Sequence, residues 1–371
     1  MTIASDSGAA ERLLNGPVPW RCWFGFIIGL AVCLAASLTL PFDSYVAWQQ
    51  AAGSQMFHSR WIYERLHFDP SPIEVAIIGS SRLEAGISPR VLEKRLTEKL
   101  RRSVGVANLS MVMPGRDLAD KITEELLATH PEVRLILLSD DGEITNSHPL
   151  YKETASAREL WNAPLLVNLH YIPNLLALPY RNMANFAEHW RPAWFGIQGR
   201  FRVDTYYGAG LDRTEGYRTP AGEKVNGNIR RPASELARMS LIAVTRQREG
   251  LALLRYLPPS QRLAIDRRYI SSIAERAARA HVGVAFAALP FYGPVQPVGT
   301  SGFYRRIGPV IALDELSGEA AYYQSAAHLN HSGAVIASLR LADAIAPLLG
   351  RMPPGRHTVG SRTSRGGEGR S

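Results

Sequence analysis

The chain has 371 residues, 46% of them hydrophobic, which is enough to bury a sizeable core and suits one large domain with insertions. Its formal charge of +9 is uneven, because the last 21 residues, Arg351 to Ser371, carry five arginines against one glutamate, so much of the excess belongs to a tail and not to a nucleic-acid footprint. The only cysteines, Cys22 and Cys33, lie in one apolar run, which excludes a disulfide or a cysteine metal site elsewhere, and the chain has no P-loop, dinucleotide glycine fingerprint, internal repeat or GxSxG elbow.

Cys22 to Leu40 is a stretch of 19 residues without a charge, long enough to cross a bilayer core. Arg12 and Arg21 precede it and Asp43 follows, so the positive-inside bias places the N-terminus in the cytoplasm and the rest outside. A cleaved signal peptide is the rival reading, but the run ends Leu38-Thr39-Leu40-Pro41 and not in a small-x-small site. The expected organisation is a cytoplasmic N-terminus at 1–21, a transmembrane helix at 22–40, a stalk at 41–72 with interfacial aromatics such as Trp48 and Trp61, a main domain at 73–350, and a disordered basic tail at 351–371.

The main domain opens in βα rhythm. Strand Val75–Ile78, helix Pro89–Leu100, strand Gly105–Leu109, helix Asp117–Thr129 and strand Val133–Leu138 imply a mainly parallel sheet. Residues at about 151–228 break the rhythm with clustered aromatics, among them Trp161, Trp190, Trp194 and Tyr217, and read as short helices and loops that either cap a site or pack as a hydrophobic subdomain. The rhythm resumes with helices Ala233–Leu257 and Arg262–Ala280, strand Val282–Leu289, a loop over Leu316–Ser325 and an apolar helical segment, Gly333–Leu349.

Two short stretches carry chemistry. Gly79-Ser80-Ser81-Arg82 follows a strand buried on both faces, which stands a hydroxyl at the strand's C-terminal edge; the bland alternative is an ordinary turn. Far downstream, Ala326-Ala327-His328-Leu329-Asn330 precedes the last apolar segment. Together they resemble the first and last blocks, Gly-Ser-Ser-Arg and His-Leu-Asn, of the envelope-associated branch of the SGNH (GDSL-like) hydrolase and acyltransferase superfamily, over roughly 73–349.

That resemblance implies an α/β fold, three-layer α/β/α with a mainly parallel sheet, plus one N-terminal transmembrane helix. It implies Ser81 as nucleophile and His328 as general base, with the backbone N–H of Ser81 and of Gly115 in an oxyanion hole. Two departures from the family pattern stand out. Asp140-Asp141 occupies the place of an oxyanion-donating Asn, leaving Asn146, five residues beyond Asp141, as a substitute donor. Ser325 stands where an acid should orient the histidine, with Asp314 and Glu319 as nearby acids. His328 and His331 sit at helical spacing without further ligands, so no metal or cofactor is expected. The implied function is a single-pass inner (plasma) membrane protein whose periplasmic domain is an acyltransferase or esterase for O-acyl groups of a cell-envelope or exported polysaccharide, beside a multispanning membrane acyltransferase partner. The alternative is a catalytically degenerate fold that serves as a polysaccharide-binding or assembly module.

Overall fold

Val75-Ala76-Ile77-Ile78 has no polar side chain to offer water on either face, and it forms the strand β1 (Val75–Ile78), buried throughout. The computed structural model describes residues 20–51, 54–142, 146–165, 167–219, 222–250, 256–294, 296 and 301–352. In chain order the helices of six or more residues are α1 (Trp20–Ser37), α2 (Ser44–Gln49), α3 (Ser59–His67), α4 (Ser81–Gly86), α5 (Pro89–Leu100), α6 (Arg116–Thr129), α7 (Tyr171–Trp190), α8 (Ala233–Gly250), α9 (Ala264–Arg279) and α10 (His331–Arg351). The remaining strands are β2 (Val106–Asn108), β3 (Leu135–Ser139), β4 (Gly216–Arg218), β5 (Lys224–Asn226), β6 (Gly283–Ala288) and β7 (Val310–Ala312).

The main sheet has the order β2-β1-β3-β6-β7 and every pairing in it is parallel. Alternate side chains of β1 enter different cores. Val75 and Ile77 join Leu92 and Leu96 of α5 and Leu341 and Ile345 of α10, while Ala76 and Ile78 join Ile122 and Leu126 of α6 and Ile270 and Ile273 of α9. The chain steps from β1 outward to β2 and then back across to β3, so the strand order reverses between β1 and β3, and their C-terminal ends flank the crevice where open α/β sheets bind ligands. Gly79 is needed at that edge: a Cβ there would stand 2.6 Å from Ser139 Oγ at the end of β3.

The strands and helices foreseen in the βα rhythm are present with ends displaced by one or two residues, except that the helix expected over Ala233–Leu257 is Ala233–Gly250, with 251–255 outside the described residues and 256–257 not helical, whereas β7 and α4 were not foreseen. α1 is an exposed apolar helix of 18 residues with mean hydropathy 1.6, about 27 Å long at the usual rise, and it could span a membrane. α10 has a similar hydropathy of 1.5 but is half buried and serves as a core helix. The tail from 353 onward, expected to be disordered, lies outside the described residues, as does the N-terminus before 20.

Two expectations need correction. Residues 41–72 are not a stalk, because α2 and α3 bury Trp48, Trp61, Ile62 and Leu66 in the same core as the sheet. Trp61 and Ile62 with Leu66 lie one helical turn apart and form an inward stripe, so these aromatics close the end of the core instead of meeting lipid. The segment at 151–228 is also not built of short helices alone, since α7 has 20 residues. Trp61 is 1% exposed and its Nε1 donates to Gly208 O at 2.9 Å. Trp61→Ala should therefore destabilise the domain by about 3–5 kcal/mol in denaturant unfolding; a change under about 1 kcal/mol, the size of a surface substitution, would restore the stalk.

Candidate active site

Ser81 begins α4 at the edge left by Gly79. Ser80 is the N-cap, extended at φ −89°, and its hydroxyl accepts from Arg82 N–H at 3.2 Å, which fixes the entry into the helix. His328 arrives from the other end of the chain on a tight loop. Tyr323 bridges Leu329, Gln324 N–H donates to His328 O at 3.1 Å, and Asn330 N–H donates to Tyr322 O at 2.8 Å. Asn330 then caps α10, its side chain accepting from Gly333 N–H at 3.0 Å and donating to Ala321 O at 2.8 Å. The asparagine of His-Leu-Asn thus holds the loop that carries the histidine.

These anchors bring Ser81 Oγ to 2.8 Å from His328 Nε2, and Ser325 Oγ to 2.8 Å from His328 Nδ1. When Nε2 is the acceptor, Ser81 O–H donates to it and Nδ1–H donates to Ser325, so one chain of hydrogen bonds sets the tautomer that a general base requires. Burial pushes the His328 imidazole below its usual value and the neighbouring Arg82 guanidinium adds to this, while Glu84 and Asp141 oppose them. The ring is therefore held neutral and able to take a proton. Arg82 lies over the Phe291 ring at 4.7 Å and is 3.7 Å from Asp141, so Asp141 faces a cation.

The pair opens into a cavity of about 340 Å³ whose wall includes Val112, Tyr217, Val225 and Ile229. Beneath it, Arg213 donates to Glu84 at 3.0 Å, to Asn108 O at 2.8 Å and to Ser110 O at 2.7 Å, and His58 lies 3.6 Å from Glu84. Burial alone would raise the Glu84 carboxyl, but Arg213 and His58 outweigh it and hold it below the usual range. Arg213 so fastens the loop before β4 to α4 and to the end of β2. No motif in the sequence marks Arg213, Glu84 or His58 for this task.

Ser81, His328 and Ser325 meet as foreseen; the other nominated positions do not join them. Gly115 is the N-cap of α6 and does not line the cavity among the described residues; a Cβ there would stand 2.3 Å from His148 Cβ, so its bareness serves packing. Val112 lines the cavity instead, because Met113 at φ 71° turns the loop and His148 Nε2 holds Val112 O at 2.8 Å. Asn146 is exposed and also outside the lining. Asp314 faces a different cavity and Glu319 caps a 3₁₀ turn by accepting from Ala321 N–H at 3.2 Å. His331 Nδ1 meets Thr214 Oγ1 at 3.1 Å, and among the described residues no group of three His, Cys, Asp or Glu side chains is placed for a metal. Among the described aromatics at 151–228, Tyr217 lines the cavity, beside Arg213, Thr214 and Val225 of the same segment, while Trp161, Trp190 and Trp194 do not. The sequence matches no family model and no curated protein.

Turnover that uses His328 as base requires its neutral form. Because burial and Arg82 lower its pKa, the acid limb of kcat/KM should fall below pH 6.5, with activity retained above the limb and lost as pH drops through it. Ser325→Asp, which places a negative charge beside Nδ1, should move that limb to higher pH. A wild-type limb above 6.5 in a pH–rate profile would contradict the assigned electrostatics.

Proposed function

We propose that this chain is a membrane-anchored serine esterase or O-acyltransferase of SGNH-like, three-layer α/β/α architecture, acting on O-acyl groups of a cell-envelope or exported polysaccharide. The observation that carries the proposal is the Ser81–His328–Ser325 hydrogen-bond chain at the strand-order reversal of a parallel sheet. The domain is periplasmic, by the charge bias around the apolar N-terminal run. A multispanning membrane protein supplies or accepts the acyl group in the transfer direction, and the reaction needs no cofactor.

Ser81 Oγ attacks the ester carbonyl while its proton passes to His328 Nε2. The carbonyl oxygen takes the electron pair and is met by backbone N–H groups, of which Ser81's own, in the first turn of α4, is the nearest to hand. The tetrahedral adduct collapses, the C–O bond to the leaving alcohol breaks, and His328 returns the proton to that alcohol. A water or an acceptor hydroxyl then loses its proton to His328 and attacks the acyl-serine, releasing Ser81. A cavity of about 340 Å³ with an apolar wall suits a short acyl group and part of a sugar ring. Ser325 orients the ring without supplying charge, so the imidazolium is less stabilised than beside a carboxylate.

A second reading, a binding module that keeps the fold, is favoured by Ser325 at the orienting position and by Asp141 where a donor should stand. The two readings separate on an aryl acetate. Ser81→Ala and His328→Ala should each cost on the order of 10³-fold or more in turnover, and the double variant should be little worse than either, as for members of one catalytic unit. Ser325→Asp should raise turnover. No measurable wild-type activity, together with none created by Ser325→Asp, would leave the binding module.

A further inference from the structure

The polarity of α7 is inside out. Of its five buried residues, Asn174, Leu178, Arg181, Asn182 and Asn185, four are polar, whereas Ile172, Leu176, Tyr180 and Trp190 are 55%, 75%, 74% and 67% exposed. A helix between a core and water shows the opposite arrangement. With Met183 and Phe186 these residues recur every three or four positions and form one stripe, and no Asp, Glu, Lys or Arg of α7 is exposed. The surface extends beyond the helix, to Leu169 at 85% and Trp194 at 79%. Of the 29 exposed large apolar side chains among the described residues ten belong to Trp20–Leu38, and twelve of the other nineteen lie between Trp161 and Val203. Single exposed apolar residues need no explanation, but a continuous patch does.

The buried polar face of α7 grips the point where α1 ends. Asn182 Nδ2 donates to Ser37 O at 3.3 Å, Arg181 stacks on Phe42 at 4.6 Å, and Asn185 and Asp43 exchange hydrogen bonds of 2.8 and 2.9 Å. His189 closes the set at 2.7 Å from Asp43. The helix that carries the apolar stripe is therefore docked on the C-terminal end of α1. At its C-terminal end, beside this junction, Arg191 lies over Trp190 at 4.6 Å and over Trp194 at 5.8 Å, a cation and aromatic pairing suited to the boundary between acyl chains and head groups.

We infer that α7 and its flanking turns lie in the bilayer leaflet that the C-terminal end of α1 reaches, as a second, monotopic membrane contact. This rests on reading α1 as a membrane span. Lipid is the occupant the observations favour, because the helix that carries the stripe is docked on the end of the span, and the stripe carries no charge and ends in interfacial residues. A span alone would leave the domain to swivel about residues 38–43; a second contact fixes its orientation and so the height of the Ser81 cavity above the membrane.

The test uses the full chain with Cys22→Ala and Cys33→Ala, reconstituted in phosphatidylcholine vesicles containing phosphatidylglycerol. Nitroxide labels go singly on Ile27→Cys in α1, Leu176→Cys and Leu169→Cys on the stripe, and Lys94→Cys on the exposed face of α5. All four side chains are exposed, so labelling leaves the packing intact. Power saturation with oxygen, which partitions into lipid, and a nickel chelate, which stays in water, should give Leu176 and Leu169 oxygen-to-nickel ratios like that of Ile27 and several-fold above that of Lys94. Nickel access at Leu176 equal to that at Lys94, with Ile27 still in lipid, overturns the inference and leaves the span intact. Protection of Leu176 from both quenchers also overturns it, since a protein partner then covers the stripe. Water access at Ile27 refutes the span and the inference together.

Discussion

A hydrogen bond of 2.8 Å joins Ser81 to His328 across 247 positions of sequence, and most of the fold can be read as the means of holding those two ends in register. One end is fixed by β1, paired on both sides in a parallel sheet, and by the close approach of Gly79 to Ser139. The other is fixed by the Asn330 cap and the Tyr323–Leu329 bridge. α10 closes the circuit, because its Ser338 hydroxyl accepts from Ser88 N–H at 2.8 Å just after α4, tying the helix that follows the histidine to the turn that follows the serine. The proposed proton transfer would be spoiled by a misplacement of about 1 Å at either end.

The surroundings of the pair are heavily charged. Arg82 with Asp141, Arg213 with Glu84, and Arg116 with Asp266 and Tyr304 are all buried. Buried ion pairs recover their desolvation cost only when further hydrogen bonds complete them, and two of the three have such bonds: Arg116 also donates to Ser139 O at 2.6 Å, as Arg213 does to Asn108 O and Ser110 O, whereas Arg82 and Asp141 stand 3.7 Å apart. Arg116 and Arg213 therefore lock a strand end and a loop beside the site, and Arg82 lies over the Phe291 ring. They also set its electrostatics, since Arg82 helps keep His328 neutral, in a site where the orienting group is a hydroxyl and not a carboxylate.

The sheet was legible because a strand buried on both faces must be apolar at every position, and Val75–Ile78 and Leu135–Leu138 obey that. Ser81, His328 and Ser325 were legible because the motifs also fix local geometry: a glycine where β1 meets β3, and an asparagine that caps the next helix. The rest depended on tertiary context. Trp48 and Trp61 read as interfacial aromatics because composition near a span does not say whether a ring turns toward lipid or toward a core. α7 has helical periodicity, but its apolar side points out, and only the docking of Asn182 and Asn185 on residues 37–43 reveals this. Val112 enters the cavity through the left-handed turn at Met113, which has no glycine to announce it. β7 is three residues long, too short for any pattern.

The central claim is that Ser81 is a nucleophile activated by His328. A serine-directed fluorophosphonate reports this without knowledge of the natural substrate, since it reacts with an activated hydroxyl and leaves a covalent adduct that peptide mass spectrometry can place. The account predicts one modified residue, Ser81, in the full-length protein, and loss of that adduct in His328→Ala. Labelling that is absent, falls on another serine, or persists unchanged in His328→Ala would contradict it.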